Sequence, residues 1–365
     1  MSATPISSSS PDQGETRRDR PVVYIHVGAP KTGTTYLQGV LWKNEEKLRV
    51  DGYLLPLGSF NGQYLATMDA RGAARHGSPF AHAMGRWRQL VEEIQRWDGG
   101  SSIVSHELLA GADLEHGRAA VAELAPAEVH IVYTARDLAR QIPAEWQEHV
   151  KHRSTIGMSQ FVRAVVNKGP AATWFWQVQD PVGVLGRWGA DLPPEHIHVV
   201  TVPPRGADPT LLWRRFASVL GLDPAAYDLE IERANESLGA AQAEILRRVN
   251  SALGDRLPMP GPYPRFGKEL LAQRVLAAQR DSAPFALRPR LRPWLVERSQ
   301  QMIDQIRNAG WDVVGDLDDL LPGETQATIL PDEVPDEDLV AAAVQALADL
   351  LVLHQRAVVG RQNPS

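Results

Sequence analysis

The stretch "VVYIHVGAPKTGTT", Val22 to Thr35, decides the fold. Val22 to Val27 is a short run rich in β-branched residues that ends in a glycine loop, and Thr35 to Arg49 then reads as a helix. Strand, loop and helix in that order, with Gly28 and Gly33 at G-x-x-x-x-G spacing, are the parts of a phosphate-binding loop. Thr34 stands where the ending G-K-[ST] has its lysine, and Lys31 lies inside the loop instead. Backbone N–H groups of Thr32 to Thr35 at the head of the helix can still cradle a phosphate, and the hydroxyls of Thr32, Thr34 and Thr35 can add hydrogen bonds. The arrangement for β and γ phosphates with magnesium is lost.

Three further strands follow, "SSIVS" at Ser101 to Ser105, "EVHIVYTA" at Glu128 to Ala135 and "HIHVVTV" at His196 to Val202. Helical stretches such as Arg86 to Trp97 and Gly117 to Leu124 separate them, which predicts an α/β fold with ligands at the carboxyl ends of a parallel sheet. Beyond Pro203 the chain turns mainly helical, in Asp208 to Leu222, Ser237 to Leu253 and Arg292 to Gly310, and these helices are expected to cover the sheet. The expected architecture is a P-loop-type three-layer α/β/α domain over 21–320, after a disordered tail at 1–20. An acidic, Pro-rich linker follows at 321–337, then a terminal helix and tail at 338–365. Val340, Ala343, Val344, Leu347 and Leu351 line one face of that helix, expected to dock on the body or on a second copy of the chain.

No cysteine is present, which excludes disulfides, thiolate metal sites and a cysteine nucleophile. No apolar run reaches the roughly 18 residues of a membrane span, and the polar start lacks the apolar core of a secretory signal, so a cytoplasmic protein without membrane contact is expected. The net charge is −6, yet eleven acidic and no basic residues between Asn308 and Gln355 leave the remainder at +5. That mildly basic body suits a small anionic ligand and is too weak a signal for nucleic acid.

The segment "PKTGTTYLQ" resembles the 5'-phosphosulfate loop of sulfotransferases that use 3'-phosphoadenosine-5'-phosphosulfate (PAPS), the bacterial members in particular. The resemblance implies that Lys31 bridges the 5'-phosphate and the departing sulfuryl group, while Thr32, Gly33, Thr34 and Thr35 hold that phosphate. The product would be the desulfated nucleotide, PAP, and no metal is required. Arg136, just past a strand end, matches the family's arginine for the 3'-phosphate, and its fork suits a phosphate. The family's serine eight residues later is Ala144 here, so either the affinity is expected to be lower or Arg140, Gln141 or a residue from elsewhere substitutes. "PRFGKE", Pro264 to Glu269, is similar to the family's basic closing loop and offers Arg265 and Lys268, but lacks its Gly-Asp-Trp ending.

Sulfuryl transfer to a hydroxyl or amine needs a base, and "SIVSHELLAGA" places His106 and Glu107 at a strand end. Animal cytosolic relatives favour the histidine and bacterial or carbohydrate-acting ones the glutamate; His106 is preferred over Glu107. His149 and His152 are read as solvated helix surface. The aromatic run Thr173 to Trp188 is expected to be mostly core, with one wall left for an acceptor cleft, and Arg71 to Met84 has the composition of a lid. The reading is a sulfotransferase acting on a small organic acceptor. The alternatives are a PAP-binding relative without transfer and another P-loop enzyme of kinase type.

Overall fold

The computed structural model of the chain describes residues 20–231, 237–279, 283–324 and 329–362. Nearly all of the expected amino-terminal tail, part of the expected linker and residues 363–365 lie outside them. Six parallel strands form one sheet: β1 (Val22–Gly28), β2 (Tyr53–Leu54), β3 (Ser101–Ser105), β4 (Glu128–Ala135), β5 (Ile197–Thr201) and β6 (Asp312–Val314), in the order β2-β3-β1-β4-β5-β6. The strand order reverses at β1, so the crevice beyond β1 and its two neighbours is where an open α/β sheet takes ligands.

Side chains alternate across β1 and divide the sheet's surroundings. Val22 and Tyr24 face a layer built on α1 (Thr34–Lys43), α2 (Glu45–Val50) and, later in the chain, the helix carrying Trp213 and Phe216. The helix expected over Thr35 to Arg49 is broken at Asn44, whose amide donates to Val40 O at 2.8 Å and Asp228 O at 2.9 Å and so competes with the helical ladder. Val23, Ile25 and Val27 face the opposite layer, which includes α3 (Phe60–Ala70), α4 (Arg86–Arg96) and α5 (Leu114–Ala122). These layers and the sheet make a three-layer α/β/α fold with a helical carboxyl-terminal half.

A second core of helices grows from α6 (Leu138–Lys151), α7 (Met158–Val166) and α8 (Thr173–Gln179), with Trp146, Phe161 and Phe175 fully buried. α9 (Pro181–Trp188) returns to the sheet, where Trp188 is buried. Of the later helices, α10 (Leu211–Leu220) covers the sheet, whereas α11 (Ala240–Leu253) packs into the second core. α12 (Arg292–Ala309) serves both, through Ile303 and Ile306 on the sheet side and Leu295 and Met302 on the other.

The terminal helix α13 (Asp336–Gln362) docks through Leu339, Ala343 and Ala346, while Val340, Val344, Leu347 and Leu351 are exposed, which turns over most of the expected docking face. Both sides of the helix carry apolar residues, so periodicity alone left its orientation open. The described part of the expected linker is packed down as well. Leu330 and Val334 are buried, and Asp332 accepts from Ser159 N at 3.0 Å. Among the described residues no helix is long and apolar enough to cross a membrane.

Gly33 caps α1 with φ +90°, and a Cβ there would overlap the Leu212 side chain on α10. Gly33→Ala is expected to lower stability by about 1–3 kcal/mol, read as a shift in the chemical denaturation midpoint without a change in slope.

Candidate functional site

The loop between β1 and α1 is held by its carbonyls. Thr134 Oγ1 donates to Gly28 O at 3.0 Å, Thr32 Oγ1 to Ala29 O at 2.5 Å, and Gln141 and Gln179 both donate to Pro30 O, at 2.6 and 3.0 Å. Arg136 Nη1 donates to Lys31 O at 2.8 Å. With four successive carbonyls tied to neighbouring side chains, Lys31 adopts φ +64°, and Gly33 at φ +90° starts α1. No side chain caps the amino end of α1 and no acidic residue lies in its first turn, so its first N–H groups and the positive end of its dipole face the cavity beside them. Gly28 is required at the base of the loop, because its φ is +117° and a Cβ would stand 2.9 Å from Glu107 O.

That cavity, of about 710 Å³, lies at the carboxyl ends of the strands and has the size of a nucleotide-scale site. Lys31, Gly33, Thr34, Thr35, His106, Glu107, Arg136 and Lys268 all line it. Two expected residues do not. Thr32 is buried, with its hydroxyl committed to Ala29 O and in contact with Thr134 Oγ1, so it shapes the loop. Arg265 is exposed, with its guanidinium 5.6 Å from the Phe266 ring. The segment read there as a basic loop is π-helical over Pro264–Leu276. Gly267 serves it by letting the Tyr263 ring pack against the backbone, and of Arg265 and Lys268 the lysine lines the cavity.

Helix α6 contributes more than the sequence reading gave it. Asp137 caps it by accepting from Arg140 N at 2.9 Å, so the helix starts at Leu138 and Pro143 lies inside it. Ala144, Glu145, Glu148, His149, Lys151 and His152 all face the cavity, and the last two histidine positions are thus wall and not solvated surface. The signal was there: 144, 148 and 151, or 145, 149 and 152, recur at the spacing of one helical face. Glu148 sits between two lysines, Lys31 at 2.6 Å and Lys268 at 2.8 Å, and Lys268 also meets His152 Nε2 at 2.8 Å.

Burial would raise the Glu148 carboxyl, but Lys31 and Lys268 outweigh it and hold the group well below its ordinary range. Burial, reinforced by Lys31 and Lys268 and opposed by Glu148, pushes Lys151 down to about 8. Burial, with Arg140 and Arg205 nearby and Asp137 opposing, lowers Arg136 to about 10. Arg136 stays charged at neutral pH, and its Nε is buried with no hydrogen-bond partner among the described residues. Cations packed this closely raise one another's cost, which an anion in the cavity would relieve.

His106 and Glu107 lie on the opposite wall. His106 is buried, its ring 5.3 Å from Phe60 and 5.4 Å from Tyr64, and its Nδ1 accepts from Leu108 N at 3.2 Å. Burial lowers its pKa, with Glu107 opposing and Arg71 adding to the fall. A neutral imidazole whose Nδ1 accepts carries its proton on Nε2, so this ring has a donor left to offer. Glu107 Oε2 accepts from Gln38 Nε2 at 3.1 Å. Trp174 of the aromatic run joins Phe60, Tyr64 and Phe285 in lining the cavity, while Phe175 and Trp188 are core. Of the expected substitutes for the serine at Ala144, Gln141 is committed to Pro30 O and Arg140 to Asp137 and Pro203 O; Ser237 supplies a hydroxyl on the same cavity.

Compared with protein-family models, with curated proteins and with solved structures, the chain finds no match in any of the three. The functional reading therefore stands on the geometry of this cavity.

Lys151 has a folded pKa below its unfolded value, so its charge costs stability throughout the range below about 8, and the cost fades as pH rises toward the ordinary lysine value. Lys151→Met is expected to raise the melting temperature of the ligand-free protein at pH 7 and to lose that advantage above pH 10, in scans across pH. Glu148→Gln leaves two lysines facing each other in a partly solvated site. It should cost about 1–2 kcal/mol of stability, measured by denaturation, while tightening the binding of inorganic pyrophosphate in calorimetry.

Proposed function

We propose that this protein transfers a sulfuryl group from PAPS to a hydroxyl or amine of a small organic acceptor. The observation that carries the reading is the pairing of two anion positions on one cavity: the amide cradle with Lys31 at one, and Arg136 with its unpartnered Nε at the other. A nucleotide with phosphates at both the 5' and 3' positions would offer one anionic group to each set of donors. A 5'-triphosphate would ask for a lysine after Gly33 and a carboxylate free to hold magnesium. Position 34 is threonine, and Asp137 at the end of β4 is spent on capping α6 and on Arg140.

In the proposed reaction the acceptor oxygen or nitrogen attacks sulfur, the bond from sulfur to the bridging phosphate oxygen breaks, and its electron pair leaves on the 5'-phosphate of PAP. Lys31 stabilises that developing charge, together with the first amides of α1. The acceptor's proton goes to Glu107. This reverses the preference for His106, since an imidazole with Nδ1 accepting from Leu108 N presents N–H and not a lone pair to the cavity. His106 would instead donate to an oxygen of the sulfuryl group or of the acceptor. Lys31 must leave Glu148 or share it, and the incoming anion replaces the carboxylate as its partner. Phe60, Tyr64 and Trp174 give the acceptor an aromatic wall, which favours a planar or apolar substrate such as a phenol.

Calorimetry with PAP, ADP and ATP, followed by sulfuryl turnover with a panel of phenols and alcohols, tests the assignment. PAP is expected to bind tightest without magnesium, and Arg136→Ala should weaken PAP by about 10–100-fold more than it weakens ADP, which shares only the loop that Arg136 also braces. Glu107→Gln should keep PAP affinity and lose about 10²–10⁴-fold in turnover. Preference for ATP with magnesium would overturn the reading in favour of a kinase-type enzyme; PAP-selective binding with no transfer to any acceptor would leave a binding protein.

A further inference from the structure

The amino-terminal end of the sheet, at the opposite end of β4 from the cavity, carries a second cluster of polar side chains. Alternation along β4 puts Glu128 and His130 on one face. The register pairs Ile131 with Ile197, Val132 with His198 and His198 with Asp312, so His198 and Asp312 arrive beside them from β5 and β6, and His196 from the turn just before β5. The four contacting groups form a chain. Asp312 Oδ2 meets His198 Nδ1 at 2.7 Å, His198 Nε2 meets His130 Nδ1 at 2.8 Å, and His130 Nε2 meets Glu128 Oε1 at 2.9 Å.

If both rings are neutral they bring two hydrogens to three contacts, and at least one contact then has two lone pairs facing each other. In the arrangement where His198 donates to Asp312 and His130 donates to His198, the pair without a hydrogen is His130 Nε2 and Glu128 Oε1. That is the state of a metal-ligating histidine whose other nitrogen donates to a second residue. A third donor is already in place. The His196 ring stacks on His130 with centroids 4.3 Å apart, and one ligand atom each from Glu128, His130 and His196 lie within 4.8 Å of one another. Donors of a tetrahedral zinc ion stand about 3.3 Å apart, given bonds of ~2.0–2.1 Å, so small side-chain rotations close the set.

We propose that Glu128, His130 and His196 bind a divalent transition metal, zinc by the donor set, with His198 and Asp312 orienting His130 from behind. Two imidazoles and one carboxylate with a fourth position left to water is a zinc ligand set, and hard-cation sites built from oxygens alone are excluded by the two nitrogens. The ion would join the starts of β4 and β5, and through His198 that of β6. It is separated from the anion cavity by the length of β4, roughly 25 Å at ~3.3 Å per residue. It therefore makes a site independent of sulfuryl transfer, in a chain whose sequence reading assigned no metal ligand.

The test uses the full chain without a polyhistidine tag, stripped of metal, with Zn²⁺ followed by calorimetry and Co²⁺ by visible absorption. One equivalent of Zn²⁺ is expected, with Co²⁺ giving the intense bands of a tetrahedral site. Saturating Zn²⁺ should raise the melting temperature. His196→Ala and Glu128→Gln should each weaken Zn²⁺ by about tenfold or more, and His198→Gln by about 10–100-fold. His152→Ala, in the cavity, should leave Zn²⁺ affinity as it is. His196 is partly exposed and precedes β5, so its variant keeps the test even where His130→Ala does not fold. No uptake at about 100 μM Zn²⁺, which would mean that a proton fills the chain, overturns the proposal, as does undiminished binding in His196→Ala and Glu128→Gln.

Discussion

The arrangement on which the rest depends is the capture of four consecutive loop carbonyls by side chains, three of them held from outside the loop and one from within. A turn between a buried strand and a helix has amides and carbonyls competing for the same space, and an anion site results only when the carbonyls are drawn off. Here Thr134, Gln141, Arg136 and Gln179 do that from β4, the start of α6 and α8, while Thr32 does it from within. The parallel pairing of β1 with β4, with His26 beside Val132 and Gly28 beside Tyr133, brings these residues to the loop. Arg136 thus has two tasks, one on Lys31 O and one left open on its Nε.

The cavity's charge follows from the same packing. α6 runs along it and presents Glu148 and Lys151 from one face, so the fold places basic groups near one another and supplies one carboxylate to separate them. Glu148 acts as an internal counter-ion for Lys31 and Lys268. A site built this way holds its cations in position, and an anion entering it would have to displace the carboxylate.

The sequence made the centre of the fold legible and its margins less so. β1, β3, β4 and β5 are buried β-branched runs with helices between them, and they appear where expected. β2 and β6, of two and three residues, are edge strands too short for any alternation to show. At the site, Lys31, Thr34, Thr35 and Arg136 are positioned by local grammar, strand end or loop and helix start, and they reach the cavity. Thr32 and Arg265 fail for opposite reasons. A hydroxyl in a tight loop is as useful to the loop's own carbonyls as to a ligand, and a basic pair three residues apart on a π-helical turn divides between solvent and interior. His149 and His152 depended on which way α6 faces, a tertiary fact that the helical spacing of 145, 149 and 152 allows but does not decide.

β4 joins both ends of the account. Its carboxyl end delivers Thr134 and Arg136 to the loop, and its amino end delivers Glu128 and His130 to the histidine cluster. Between them Val129, Ile131, Tyr133 and Ala135 are buried on one face and Val132 and Thr134 on the other. A strand buried on both sides cannot shift by one residue without turning every side chain to the wrong layer. The register that seats Arg136 over Lys31 therefore also fixes His130 beside His198, and the polar groups at each end are positioned by the apolar residues between them.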